Sequence, residues 1–305
     1  MPITETYRAQ VRLLMRLLPI VAHEECFALK GGTAINLFVR DLPRLSVDID
    51  LMYLPMHGRP DALAGIDAAM KRIESRIFAD LPGSQVSRNL SEGAITRLTV
   101  RADATQVKIE ISPVLRGVVN EPSVMSVSDA VDDVFGFAET TVVSFEDLYA
   151  GKLVAALDRQ HPRDLFDVRD LLAHEGLTGD LREAFIVYLL SHNRPMFEVL
   201  SGRCKDLAEE YRDGFEGMTE EPVTIDELIQ TQASMIAQLI GGMPENHRAF
   251  LVSFEKGEPD WNLLNVPHAK DLPAILWRQR NLDKLNLARR AELVTSLEDV
   301  LAAAQ

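Results

Sequence analysis

Cysteine is nearly missing from this chain. Among 305 residues only Cys26 and Cys204 occur, far apart and in no Cys-x-x-Cys spacing. That excludes a disulfide framework and a thiolate-built structural zinc site, and leaves both as expected packing residues. No apolar run reaches the length of about 18 residues that a membrane span needs, so no span is predicted. The opening MPITETYRAQ lacks the basic-then-apolar layout of a signal peptide, and the expected setting is the cytosol. The seven histidines form no His-x-x-x-His pair or similar cluster, so a bound metal is expected to take oxygen ligands. Basic charge is also in deficit: 32 Lys and Arg stand against 46 Asp and Glu, for a net charge of −14. A surface so charged repels a polyanion and argues against broad, sequence-independent coating of nucleic acid. One local strip runs the other way, Arg278, Arg280, Lys284, Arg289 and Arg290 beside Trp277, and reads either as a solvated helix face or as an RNA contact.

What is present is enough apolar residue, 47%, to bury a substantial core. The length suits two domains. The pattern divides accordingly. Strands and helices mix over residues 1–176, and helices alone follow over 177–305.

The most informative stretch is FALKGGTAINLFVRDLPRLSVDIDL, residues 27–51. A short apolar run, Phe27 to Leu29, enters the turn Gly31-Gly32-Thr33, a helix-like segment follows, and the stretch closes on Asp48-Ile49-Asp50. Side chains alternate across a strand, so Asp48 and Asp50 share one face while Ile49 and Leu51 share the other. Neighbouring carboxylates repel unless a cation lies between them, and hard divalent ions bind through a few carboxylates plus substrate phosphates. Backbone N–H groups at a double-glycine turn can approach a phosphate closely. Either feature alone has a plain explanation: Asp-x-Asp as a solvated strand end, Gly-Gly-Thr as a tight turn. Their conjunction, with a strand before the turn and Arg44-Leu45-Ser46 leading into the carboxylates, is more specific.

Around this stretch the periodicity predicts an amphipathic helix over 6–22 (Val11, Leu14, Met15, Leu18, Val21) and a second over about 61–79, ended by Pro82-Gly83-Ser84. Residues 94–101 and 106–112 alternate and read as a β-hairpin. On its second strand Val107, Ile109 and Ile111 point one way, leaving Lys108, Glu110 and Ser112 on the other. A strand over 140–144 is followed by two helices, one from Phe145 to about Gln160 and one from Arg163 to Gly176, separated by Pro162. Asp164 and Asp167 lie three apart and share a helix face, which by itself suits a salt-bridged polar surface. Further helices are expected over 181–192, from the Thr224/Glu227 capping box onward, over 245–256, and over 270–303 with a break near 281–286.

These motifs resemble those of the nucleotidyltransferase superfamily with its polymerase-beta-like core, and within it the AbiEii/AbiGii toxin family, which includes the MenT-like toxins. The family's first motif, a glycine turn with Ser or Thr followed by Asp-x-Asp, is met by Gly31-Gly32-Thr33 and Asp48-Ile49-Asp50. Here the spacer from Thr33 to Asp48 is 14 residues, longer than expected, and Thr replaces the commoner Ser. The family's later motifs, a helical Lys ahead of an Arg and then [Arg/Lys]-Asp-x-x-Asp, match Lys152, Arg159, Arg163, Asp164 and Asp167. The resemblance covers about residues 25–175.

It implies an α+β fold, a mixed sheet flanked by helices, followed by an all-helical C-terminal domain. It also implies transfer of a nucleoside monophosphate from an NTP to an acceptor hydroxyl. Asp48 and Asp50, with Glu110 as third carboxylate, would hold two Mg²⁺, or Mn²⁺ in its place. Gly31, Gly32, Thr33 and Ser46 would bind the phosphates, Lys152 would support them, and Asp164 or Asp167 would position the lysine or the acceptor. In this family the implied acceptor is the tRNA 3′ end, and the implied partner is a cognate antitoxin encoded nearby. The rivals are nucleotidylation of a protein or small molecule, and a non-catalytic interaction module on a degenerate nucleotidyltransferase fold.

Overall fold

The computed structural model describes residues 5–202, 205–219 and 221–303. Cys204, expected as a packing residue, lies outside them, and Cys26 is half-buried. The chain divides into two compact units, Met1–Ser144 with Gly217–Pro222, and Phe145–Glu216 with Val223–Gln305.

The first unit is built on a seven-stranded mixed sheet among its described residues. In chain order come α1 (Glu5–Ala22), β1 (Phe27–Lys30), α2 (Gly31–Ala34, continued by a π-helical turn Ile35–Val39), β2 (Asp48–Tyr53) and α3 (Arg59–Asp80). Then follow β3 (Gln85–Ser91), β4 (Ala94–Ala102), β5 (Thr105–Arg116), β6 (Ser123–Ser126), α4 (Asp129–Phe135) and β7 (Glu139–Val142). The strand order is β3-β4-β5-β2-β1-β7-β6, parallel at β5/β2 and β1/β7 and antiparallel elsewhere.

Alternation decides what each face of this sheet does. Ile49 and Leu51 of β2, Leu98 and Val100 of β4, and Val107, Ile109 and Ile111 of β5 are all buried. Against these strands pack α1, through Val11, Leu14, Leu18 and Val21, and α3, through Ile66, Met70, Ile73 and Ile77. Removing that apolar area from water is the main force holding the layer together. The intervening residues, Asp48, Asp50, Lys108 and Glu110, stay half-exposed on the opposite face. The predicted hairpin is present and closes through Asp103 and Ala104, both with positive φ (48° and 61°), as a two-residue hairpin turn of type I′ requires.

The second unit holds α5 (Phe145–Asp158), α6 (Pro162–His174), α7 (Gly179–Leu190), α8 (Met196–Leu200), α9 (Ala208–Gly214), α10 (Ile225–Ile236, continued by a π turn Ala237–Gly241), α11 (Glu245–Glu255), α12 (Pro273–Asp283) and α13 (Leu287–Ala303). Thr224 and Glu227 form the capping box read from the sequence, and the break in the last helical stretch falls at 284–286. By contact, α5 and α6 group with these helices, since α5 packs on both α6 and α7; the sequence pattern sets them with the first domain.

In the basic strip Arg280, Lys284 and Arg289 are exposed, while Arg278 and Arg290 are engaged within the fold. Arg278 donates to the carbonyls of His192 and Arg194 and pairs with Glu255 at 3.8 Å. Arg290 donates to the carbonyls of Leu282 and Lys256, and Arg289 pairs with Glu292. Two of the five arginine and lysine side chains thus fasten helix ends. Helical spacing in the sequence does not say which side of α12 and α13 faces inward.

Candidate active site

In the first unit the glycine turn and the acidic strand are locked to each other. Lys30 and Asp50 are cross-strand neighbours on β1 and β2. Gly31 follows with φ +76°, a conformation that side chains other than hydrogen rarely adopt. A Cβ on Gly31 would fall 2.6 Å from the Asp50 Oδ2, and one on Gly32 would fall 2.8 Å from both the Arg44 guanidinium and the Ser46 hydroxyl. A side chain at either glycine would have to displace these groups, and the Asp50 carboxylate lies directly against the turn.

Thr33 has a different task from the one its motif suggests. It is fully buried, and its Oγ1 donates to the Asp48 carbonyl at 2.5 Å, with the Ser46 hydroxyl 3.2 Å away. A hydroxyl so placed ties the turn to the first residue of β2 and is withdrawn from a phosphate. Arg44, which leads into the carboxylates, and Asn36, which the sequence did not single out, complete the support. Asn36, buried, donates to the Gly32 carbonyl at 2.8 Å and accepts the Arg44 N–H, while the Arg44 guanidinium donates to the Leu45 carbonyl. A polar residue inside an otherwise apolar INLFV segment was the available signal for Asn36.

Replacing Gly31 by Ala is expected to cost about 1–2 kcal/mol of stability for the left-handed backbone. It is expected to lower nucleotidyl transfer by more than that, because the new methyl displaces Asp50. Thermal unfolding and a transfer assay well below the melting temperature separate the two effects.

Glu110 lies beside Asp50 in the parallel β2/β5 register and opposite Arg97 in the β4/β5 register. Its carboxylate is engaged by Arg97, at 2.6 Å from Nε to Oε1 and 3.2 Å on the second oxygen. Among the described residues no group of three His, Cys, Asp or Glu side chains is arranged to hold a metal ion. Of the three carboxylates expected to act together, Asp48 and Asp50 lie two apart on β2, and Glu110 stands next to Asp50 in register with its carboxylate engaged by Arg97. Asp48 and Asp50 themselves suit a hard divalent cation, being half-exposed oxygen donors two residues apart on one strand face. A cavity of about 250 Å³ opens here, lined by Lys30, Asp50, Asn89, Arg97, Glu110 and Ser112 among others.

In the second unit three of the residues matching the later motifs, Lys152, Asp164 and Asp167, form one buried cluster. Lys152 Nζ lies 2.8 Å from Asp164 Oδ1 and 3.0 Å from Asp167 Oδ2, with all three side chains almost fully buried. The sequence left open which aspartate serves the lysine; the structure gives both that contact. Arg159 donates to both Asp164 oxygens, at 2.6 and 2.9 Å. Burial by itself would raise the Asp164 carboxyl, but Lys152 and Arg159 outweigh it and hold it well below the usual carboxylate range. His161 caps α6 by accepting the Arg163 N–H on Nδ1. Burial, assisted by Arg163, lowers its imidazole to about 4 and so keeps it an acceptor at neutral pH.

A mixed sheet that carries paired carboxylates against a double-glycine turn has the form of a nucleotidyltransferase. The sequence matches the family model described as nucleotidyl transferase AbiEii toxin, type IV TA system, over residues 12–276. The chain therefore belongs to the AbiEii family of nucleotidyltransferase toxins, and a cognate antitoxin is implied by that membership. Among solved structures it is similar to MenT4, a nucleotidyltransferase toxin from Mycobacterium tuberculosis H37Rv, with a TM-score of 0.54 over 98% of this chain and 94% of that one. At 15% identity that likeness speaks for the fold alone. No curated protein sequence matches. No helix among the described residues is long and apolar enough to cross a membrane.

Proposed function

We propose that this protein transfers a nucleoside monophosphate from an NTP to an acceptor hydroxyl, with the tRNA 3′ end as the acceptor that the family suggests. The acceptor oxygen forms a bond to the α-phosphorus, the α–β phosphoanhydride bond breaks, and pyrophosphate leaves while the hydroxyl proton passes to solvent. Such transfer depends on in-line positioning and charge neutralisation more than on covalent chemistry. The observation that carries the reading is the contact of the Asp50 carboxylate with the Gly31 turn, which puts the acidic pair and the amides of the turn in one place.

In this reading Asp48 and Asp50 hold Mg²⁺, or Mn²⁺ in its place, and Glu110 is available as a further ligand. A divalent cation there supplies neutralisation of the triphosphate and lowers the pKa of a bound hydroxyl. The amides of Gly31 and Gly32 receive the β- and γ-phosphates, with Ser46 beside them. Thr33 acts from beneath by fixing the turn to Asp48. Lys152, oriented by Asp164 and Asp167, is required for the same reaction. Residues 1–176 then make up the nucleotidyltransferase domain in the functional sense, and 177–305 a helical domain that engages the acceptor.

Incubating the purified protein with each α-labelled NTP and a whole-cell extract tests this directly. Label is expected in tRNA, at the 3′ end. Label in a protein band or a small molecule would replace the acceptor while retaining the chemistry. Growth arrest that persists in Asp48→Ala, with no label transferred anywhere, would replace catalysis by a binding role.

A further inference from the structure

One level of the first unit's sheet carries a charged row in an unfavourable order. From β4 to β1 it runs Arg97, Glu110, Asp50, Lys30, so two carboxylates are neighbours on adjacent strands. Like charges side by side on a sheet destabilise it. Glu110 is drawn to the outer side of the row, where Arg97 engages both of its oxygens. The pair remains partly in solvent, with Arg97 43% and Glu110 30% exposed. An ion pair in that setting is weak enough to be exchanged for a stronger partner.

We infer that Arg97 is a latch on the third carboxylate. It holds Glu110 away from the Asp48/Asp50 pair, and a divalent cation entering that pair competes Glu110 off the guanidinium. Arg97 thereby sets how tightly the site takes a cation, without being a ligand. The guanidinium released in the exchange lines the same cavity as Asp50, facing whatever anion accompanies the cation. This inference rests on the proposed nucleotidyltransferase reading.

The test is a titration of the full chain with Mn²⁺ alone, without nucleotide, following free Mn²⁺ by electron paramagnetic resonance. Four proteins are compared: wild type, Arg97→Gln, Glu110→Gln and the double variant. Because Arg97 is partly exposed, thermal unfolding should confirm that each remains folded. Breaking the latch should tighten Mn²⁺ binding about fivefold in the Glu110 background, the size expected when a partly exposed ion pair no longer competes. In the Glu110→Gln background the same arginine change should alter affinity less than about twofold, since nothing is left to release. No tightening would overturn the latch. Equal tightening in both backgrounds would overturn it too, by showing that Arg97 acts only as a nearby positive charge.

Asp50→Asn, run alongside, separates this from the underlying reading. If Asp50→Asn abolishes Mn²⁺ binding while Arg97 proves indifferent, only the latch falls. If Asp50→Asn binds Mn²⁺ as wild type does, the metal site itself is misplaced and the latch falls with it.

Discussion

Replacing either Asp48 or Asp50 by Asn should lower nucleotidyl transfer by about a thousandfold or more while changing the protein's stability little. The activity loss follows from electrostatics. Neutralising one carboxylate of an adjacent pair removes much of the charge that holds a divalent cation, and charge stabilisation of this kind usually contributes more to catalysis than any other single effect. The stability side is the more discriminating half. The pair sits half-exposed on one face of β2, with Ile49 and Leu51 supplying the packing on the other. Asparagine keeps the shape and removes a like-charge repulsion, as expected where a fold accepts strain for function. The hydrogen bond that anchors the Gly turn uses the Asp48 carbonyl, not its side chain, and survives in Asp48→Asn. Melting temperature and transfer rate measured on the same preparations check both halves. A large drop in melting temperature would mean that the pair is structural.

Lys152→Met should behave in the opposite way and cost stability heavily. It strips the shared cation from Asp164 and Asp167, whose side chains are 2% and 1% exposed. Breaking a buried pair by removing one partner typically costs about 3–5 kcal/mol, because a buried charge loses its counterion; Arg159 still engages Asp164, so the lower end of that range is expected. The pH dependence gives a sign that can be checked. In the native protein the Asp164 carboxyl is depressed, so its contribution is present above the unfolded aspartate value of about 3.9 and is lost as pH falls. In Lys152→Met the buried carboxylates are relieved by protonation, so the deficit relative to wild type should narrow in acid. Combining Lys152→Met with Asp164→Asn and Asp167→Asn should recover most of the stability at neutral pH and no transfer activity. Recovery of both would reduce the cluster to a packing device. Denaturant unfolding across pH, alongside the transfer assay, distinguishes these outcomes.

Much of the site was legible because strand parity is a strong constraint. Asp48 and Asp50 on one face, Ile49 and Leu51 on the other, and the same alternation in β5 follow from a two-residue period, and burial agrees with both. The glycine turn was legible as well, since contact and φ leave Gly31 little alternative. What sequence could not show was pairing. The Arg97–Glu110 contact follows from the hairpin register, and that register rests on Asp103-Ala104 adopting a left-handed turn without the Asn-Gly or Asp-Gly signature that announces one. Strand β3 escaped because Gln85–Ser91 is exposed along nearly its whole length, so no apolar alternation marks it, and β6 is a four-residue strand of the same kind. Lys152, Asp164 and Asp167 were visible as helix positions, but their joint contact depends on how α5 packs on α6. The inward contacts of Arg278 and Arg290 were hidden for the same reason, as helical spacing places charges on a face without saying what covers it.

The most direct measurement is a crystal of the protein with a non-hydrolysable NTP and Mn²⁺, read by the anomalous scattering of manganese. A manganese peak is expected within ligand distance of both Asp48 and Asp50, with the triphosphate against the Gly31-Gly32 backbone. Manganese bound elsewhere, or a triphosphate seated away from that turn while the two aspartates face only solvent, would contradict it.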